Sequence, residues 1–166
     1  MKLIKTTVPA LVLALMMAFS VAACGGDGRN NDKDTTKIYS FSGGNEFIEI
    51  RNGMIVITNE LEKFIGGDLF FKGEKPANVL SYSEKFYFYM DDGEQNVFQN
   101  NTAGIEGSAE GISINPNMGT TTAEKIFSHA EVWDLLINSL NFTLSGTFVN
   151  GENFAYHIVL EVNEIC

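Results

Sequence analysis

Two cysteines, two histidines and 21 carboxylates are the side chains of this 166-residue chain best suited to nucleophilic, metal or acid–base chemistry. Their spacing assembles little of it. Neither histidine sits in a metal-protease pattern such as His-Glu-x-x-His; His129 falls in a helix start and His157 on the polar face of an alternating run, so both read as surface residues. A serine hydrolase of the elbow type needs Gly-x-Ser-x-Gly, which does not occur. Asp91, Asp92 and Glu94 flank Gly93 and could lend oxygens to calcium, which takes about six to eight. Their spacing is not that of an EF-hand loop, and Asp-Gly at a hairpin tip already accounts for them. They are weak calcium candidates, and neither a resident metal nor a cofactor is expected. Gly66-Gly67-Asp68 and Gly104-Ile105-Glu106-Gly107 lack the lysine or helix start that a phosphate cradle requires.

Paired carboxylates can cleave glycosidic polymers at separations of about 5 to 10 Å. Asp68, Glu84, Asp91 and Glu94 are the acids that could form such a pair, although a chain with 21 acids always offers pairs. A hydrolase acting on envelope polymers is therefore the alternative to a binding function, and a structural or assembly role is a third. The binding reading rests on aromatics. Phe86-Tyr87-Phe88-Tyr89 alternates, so if the phenylalanines face a core the tyrosines lie outside it. Tyrosine couples a rigid apolar body to a polar tip and suits recognition surfaces. Tyr82, Tyr87 and Tyr89 are the candidate binding surface.

The elements that must position these residues are mostly strands. Apolar residues recur with period two in runs rich in Phe, Tyr, Ile and Val, which predicts strands over 38–42, 46–51, 54–59, 68–72, 85–90, 95–99, 111–114, 140–148 and 153–163. Asn52-Gly53 predicts a two-residue type I′ hairpin with Ile50 opposite Ile55, and Asp91-Asp92-Gly93 a second hairpin. For the last hairpin, a three-residue loop at Val149-Asn150-Gly151 with Gly151 left-handed pairs Phe142 with Ile158 and Leu144 with Tyr156. That register buries one continuous face, and a two-residue loop would mix the faces. One helix is predicted near 129–138, started by the capping box Ser128-His129-Ala130-Glu131 and short enough to need a sheet to lean on. Residues 101–122 read as loop with one short strand. The fold class expected is mainly β: an antiparallel β-sandwich of immunoglobulin-like architecture with one short helix, without the Cys and Trp markers of true immunoglobulin domains.

The first residues concern address rather than chemistry. Lys2 and Lys5 precede an apolar stretch from Val8 to Ala18, and small residues lead to Cys24, which is the grammar of a secretion signal over residues 1–23. The apolar part is short for a span, which needs about 20 residues. Val21-Ala22-Ala23-Cys24 resembles the lipobox of prokaryotic membrane lipoproteins, with valine in place of the commoner leucine. The resemblance implies a diacylglycerol thioether on Cys24, cleavage before it, further acylation such as palmitate, and anchoring of the exported protein to the bacterial cell membrane, or to the outer membrane if the host has one. It covers residues 1–24 only and implies no activity. Residues 24–37 are Gly-, Asn- and Asp-rich and read as a flexible tether, leaving 38–166 as a single β-sandwich domain. Cys166 is then the one remaining cysteine, at the chain end, so no internal disulfide is available. Loss of Lys2 and Lys5 with no acid moves the net charge from −10 to −12, which disfavours nucleic acid as a partner. The expectation is a membrane-anchored extracytoplasmic lipoprotein, non-enzymatic, that binds a protein or an envelope ligand.

Overall fold

The computed structural model describes residues 36–106, 111–124, 126–127 and 130–165. The signal segment, Cys24, most of the tether, Ser128 and His129 of the capping box, and Cys166 lie outside the described residues.

Among the described residues ten strands assemble into two antiparallel sheets with one short helix, a mainly β sandwich. The first sheet contains β1 (Lys37–Gly44), β2 (Ile48–Ile57), β3 (Glu62–Ile65), β4 (Asp68–Phe71), β7 (Thr120–Ala123) and β10 (Glu161–Glu164). The second has the order β6 (Gln95–Gly104), β5 (Val79–Tyr89), β8 (Asn141–Phe148) and β9 (Asn153–Val159). The chain passes from β9 to β10 through Leu160, which is buried and whose amide donates to Leu140 O at 2.8 Å. The predicted strand over 153–163 is thus bent, and its two halves serve different sheets.

Asn52-Gly53 does not form the predicted hairpin. β2 runs straight through it, with Ile48–Arg51 paired to β4 and Met54–Ile57 to β3, and β1 pairs along both halves. Only Asn52 turns left-handed (φ 59°), and a type I′ turn needs positive φ at both central residues. Between the Phe41–Gly53 and Gly43–Ile50 pairs, Ser42 faces both Arg51 and Asn52, so the motif is a β-bulge. The reversal occurs earlier, at Asn45, whose Oδ1 accepts the amides of Phe47 (2.8 Å) and Ile48 (2.9 Å). Phe41 decides the matter: a Cβ at Gly53 would lie 2.1 Å from its ring, so the aromatic ring occupies the space that the missing side chain leaves.

The core that follows is aromatic. Phe64 lies 5.1 Å from Phe41 in its own sheet, and 4.9 Å from Phe86 and 4.8 Å from Phe98 across the interface. The helix α1 (Ala130–Ser139) covers one end: Leu136 is buried, and Trp133 packs edge-on to Tyr39 at 4.7 Å. In its last turn Asn138 Nδ2 and Ser139 Oγ donate back to the Asp134 and Leu135 carbonyls at 2.7 and 2.6 Å. The last two hairpins follow the predicted pairings, Phe142 with Ile158 and Leu144 with Tyr156 across a Gly151 at φ 87°, and Met90 bonded to Glu94 around Gly93.

Residues 111–119 form a strap rather than the predicted strand over 111–114; its ladder contacts are the isolated bridges Ile112–Val79 and Asn117–Asp68. The strap ties the two sheets together. Gly66 N, Leu69 N and Met118 N pair it with the first sheet at 2.9, 2.7 and 3.0 Å.

Replacing Gly53 with alanine should destabilise the domain by about 1 to 3 kcal/mol, because the Phe41 ring has to move. Asn52→Gly should stay within about 0.5 kcal/mol of wild type. Urea unfolding reads both, and a wild-type midpoint for Gly53→Ala would refute the close-approach account.

Candidate functional site

β5 is central to the second sheet, and its alternation divides its side chains between two environments. Tyr82, Glu84, Phe86 and Phe88 point into the sandwich, and Ser81, Ser83, Lys85, Tyr87 and Tyr89 point out.

On the inner face a polar belt lies under the strap. Tyr82 is 8% exposed, and its hydroxyl accepts the Asn115 amide at 3.0 Å. It holds the strap from inside, so it does not belong to the tyrosine surface on which it was expected. Gln99 and Asn101 of β6 both donate to Met118 O, at 2.5 and 2.9 Å. Beside them Glu84 is 2% exposed, opposite Leu144 and Asn101, and its Oε1 has no hydrogen-bond partner. Burial pushes its carboxyl up from 4.5 to about 7, against the opposing effect of a hydrogen bond from Asn101. By residue type Glu84 is one acid among many, and its place on the phenylalanine side of β5 is the signal that sets it apart.

The other acids are not brought to it. Asp68 accepts from Asn52 Nδ2 at 2.9 Å in the first sheet. Asp92 accepts the Glu94 amide at 2.9 Å within the β5–β6 turn, and Asp91 and Glu94 are exposed there. Among the described residues no group of three or more His, Cys, Asp or Glu side chains could hold a metal ion.

The outer face has a different chemistry. Tyr87 OH lies 3.0 Å from His157 Nδ1 and 3.2 Å from Thr143 Oγ1, and its ring packs edge-on to Tyr89 at 5.6 Å. Tyr87 is 3% exposed and Tyr89 46% exposed. Of the two tyrosines expected to face outward, both do so, but Tyr89 alone offers its ring to solvent. Burial raises the Tyr87 phenol above its ordinary value, so it keeps its proton for the His157–Thr143 network. Val97 and Val159 are also exposed at this end.

Toward the other end the outward residues become small and uncharged. One rung across the four strands reads Thr102, Ser83, Ser145 and Ala155, and the next Gly104, Ser81, Thr147 and Asn153. They line an open groove of about 720 Å³. Ser83 Oγ donates to Asn100 Oδ1 at 2.7 Å, and Thr147 Oγ1 to Asn153 Oδ1 at 2.8 Å, which fixes their rotamers. Across the outward positions of all four strands there is no carboxylate, and Lys85 and His157 are the ionisable groups besides the tyrosines. The fold and this face define an antiparallel β-sandwich with one carboxylate-free sheet surface. No protein-family profile, curated protein or solved structure matches the chain.

The raised carboxyl of Glu84 has a signed consequence. The folded state holds the proton to about pH 7 and the unfolded chain releases it near 4.5, so stability is highest below 4.5 on this account and is lost as pH rises to about 7. The loss should be on the order of 2 kcal/mol. Urea midpoints at pH 5 and pH 8 should show it, and Glu84→Gln should remove this decline and be more stable than wild type at pH 8; an unchanged pH slope in the variant would refute the assignment.

Proposed function

We propose that the chain is a membrane-tethered extracytoplasmic binding module without catalytic activity, anchored by a diacylglycerol on Cys24, whose partner docks on the outer face of the second sheet. The observation that carries this reading is the charge distribution. A chain of net charge −10 keeps every carboxylate off the outward positions of four adjacent strands, and a solvated face with no partner has no reason to exclude them. The exposed Tyr89, Val97 and Val159 on the same face add apolar area of the kind found at recognition surfaces.

The non-enzymatic part is supported by the dispersal of the acids. A hydrolytic pair needs two carboxyls facing one substrate, whereas Glu84 faces the core, Asp68 is bonded to Asn52, and Asp91, Asp92 and Glu94 sit in or beside a turn. The Asp91–Glu94 segment is used by the hairpin, so calcium is not part of the reading.

Two experiments test the proposal. Cys24→Ser should abolish incorporation of a labelled fatty acid and release the protein from the membrane fraction; undiminished labelling would rule out the anchor. Tyr89→Ser combined with Lys85→Glu should reduce capture of envelope material by full-length protein about tenfold or more, with the urea midpoint shifted by less than about 1 kcal/mol. Wild-type capture by that variant would remove this face from consideration.

A further inference from the structure

We propose that the groove at the Ser81 end of the outer face binds a glycan, so that the partner is a polysaccharide strand lying along the second sheet; this rests on the assignment of that face as the ligand surface.

The lining selects among ligand classes. Ser81, Thr102 and Ser145 carry hydroxyls able both to donate and to accept, the two-way capacity that sugar hydroxyls require; Ser83 and Thr147, whose protons go to Asn100 and Asn153, keep lone pairs that accept, and Asn153 adds an amide. A phosphate-bearing ligand would call for arginine or lysine, and none lines the groove. A peptide strand would add at a sheet edge, where backbone groups are unpaired. This groove instead lies on the face of the sheet, across all four strands and centred on β5 and β8, each of which is paired on both sides. A fully apolar ligand would leave the Ser81, Thr102 and Ser145 hydroxyls unmatched.

The rest of the face suits the same occupant. A sugar ring has an apolar face of C–H groups as well as a hydroxyl rim, and Tyr89, exposed at the far end, supplies an aromatic surface for it. From Ser81 to Tyr89 the strand spans about 26 Å, which is the reach of several sugar units and not of one. The pairs Ser83–Asn100 and Thr147–Asn153 are already held at 2.7 and 2.8 Å, so little side-chain freedom is lost on binding.

The test uses full-length detergent-solubilised protein and cell-envelope material from the producing organism in two portions, one digested with protease and one oxidised with periodate, which cleaves the vicinal diols of sugars. Capture should survive protease and disappear after periodate, and Ser83→Val with Ser145→Val should lower it about tenfold. Should that pair fail to fold, Ser145→Gln, which fills the open groove, carries the same expectation. Capture that survives periodate and is lost to protease overturns the glycan assignment; the face itself then stands if Tyr89→Ser with Lys85→Glu still abolishes capture. Absence of capture from both portions and from untreated envelopes overturns both readings. Glycan capture unaffected by the groove variants places the glycan elsewhere and overturns the site.

Discussion

Everything in the sandwich depends on the aromatic contact between its sheets, where Phe64 meets Phe86 at 4.9 Å with Phe41 stacked beside it. Rings of this size leave little tolerance for neighbouring side chains in a close-packed interior. At two places beside these rings the backbone of the first sheet has to come without a Cβ. At Gly53 the added atom would strike Phe41, and at Gly66 it would come within 2.4 Å of Met118 and 3.2 Å of Phe86. Gly53 lies at the bulge in β2 and Gly66 at the break between its neighbours β3 and β4. The interruption of the first sheet is the geometric counterpart of the aromatic core.

The same interruption places the strap. Gly66, Gly67 and Leu69 bond to it from the first sheet, and Tyr82, Gln99 and Asn101 from the second, so a segment with almost no regular structure is held on both sides. Glu84 lies within this inner polar belt with one oxygen unmatched. Its burial follows from the strict alternation of β5, because a one-residue slip that exposed Glu84 would drive Lys85 and Tyr87 into the core. The strand can keep Phe86 and Phe88 inside and a carboxylate-free row outside only by carrying a carboxylate inside.

Some of this was readable in the chain and some was not. The register of the 148–153 hairpin was legible because two side-chain patterns separated by three residues permit one arrangement that buries a continuous face. The Asp91-Asp92-Gly93 turn was legible from its Asp-Gly step between two alternating runs. Asn52-Gly53 carried the same local signal and proved a bulge, since its two flanks found better partners in β3 and β4 than in each other. Glu62–Ile65 and Thr120–Ala123 were missed as strands: each is four residues long, too short for a period to register, and they pair with each other at the edge of the first sheet. Tyr82 was grouped with Tyr87 and Tyr89 by residue type, although its parity along β5 places it with Phe86.

The chain by itself therefore determined the class of fold, the position of the helix and the hairpins at 91–93 and 149–151, because period-two alternation, turn residues and helix patterning are properties of neighbours in sequence. It also determined the alternation that splits β5 into a phenylalanine side and a tyrosine side. The tertiary structure alone decided that the four strands β6, β5, β8 and β9 would lie side by side, which turns scattered serines, threonines and asparagines into one uncharged groove. It alone decided that the 111–119 strap would close over the inner polar belt, and that Tyr87 would be covered while Tyr89 stayed in solvent. The reason is physical: pairing between strands far apart in the chain is chosen by which faces can be buried together, and that competition among all the strands leaves no local mark.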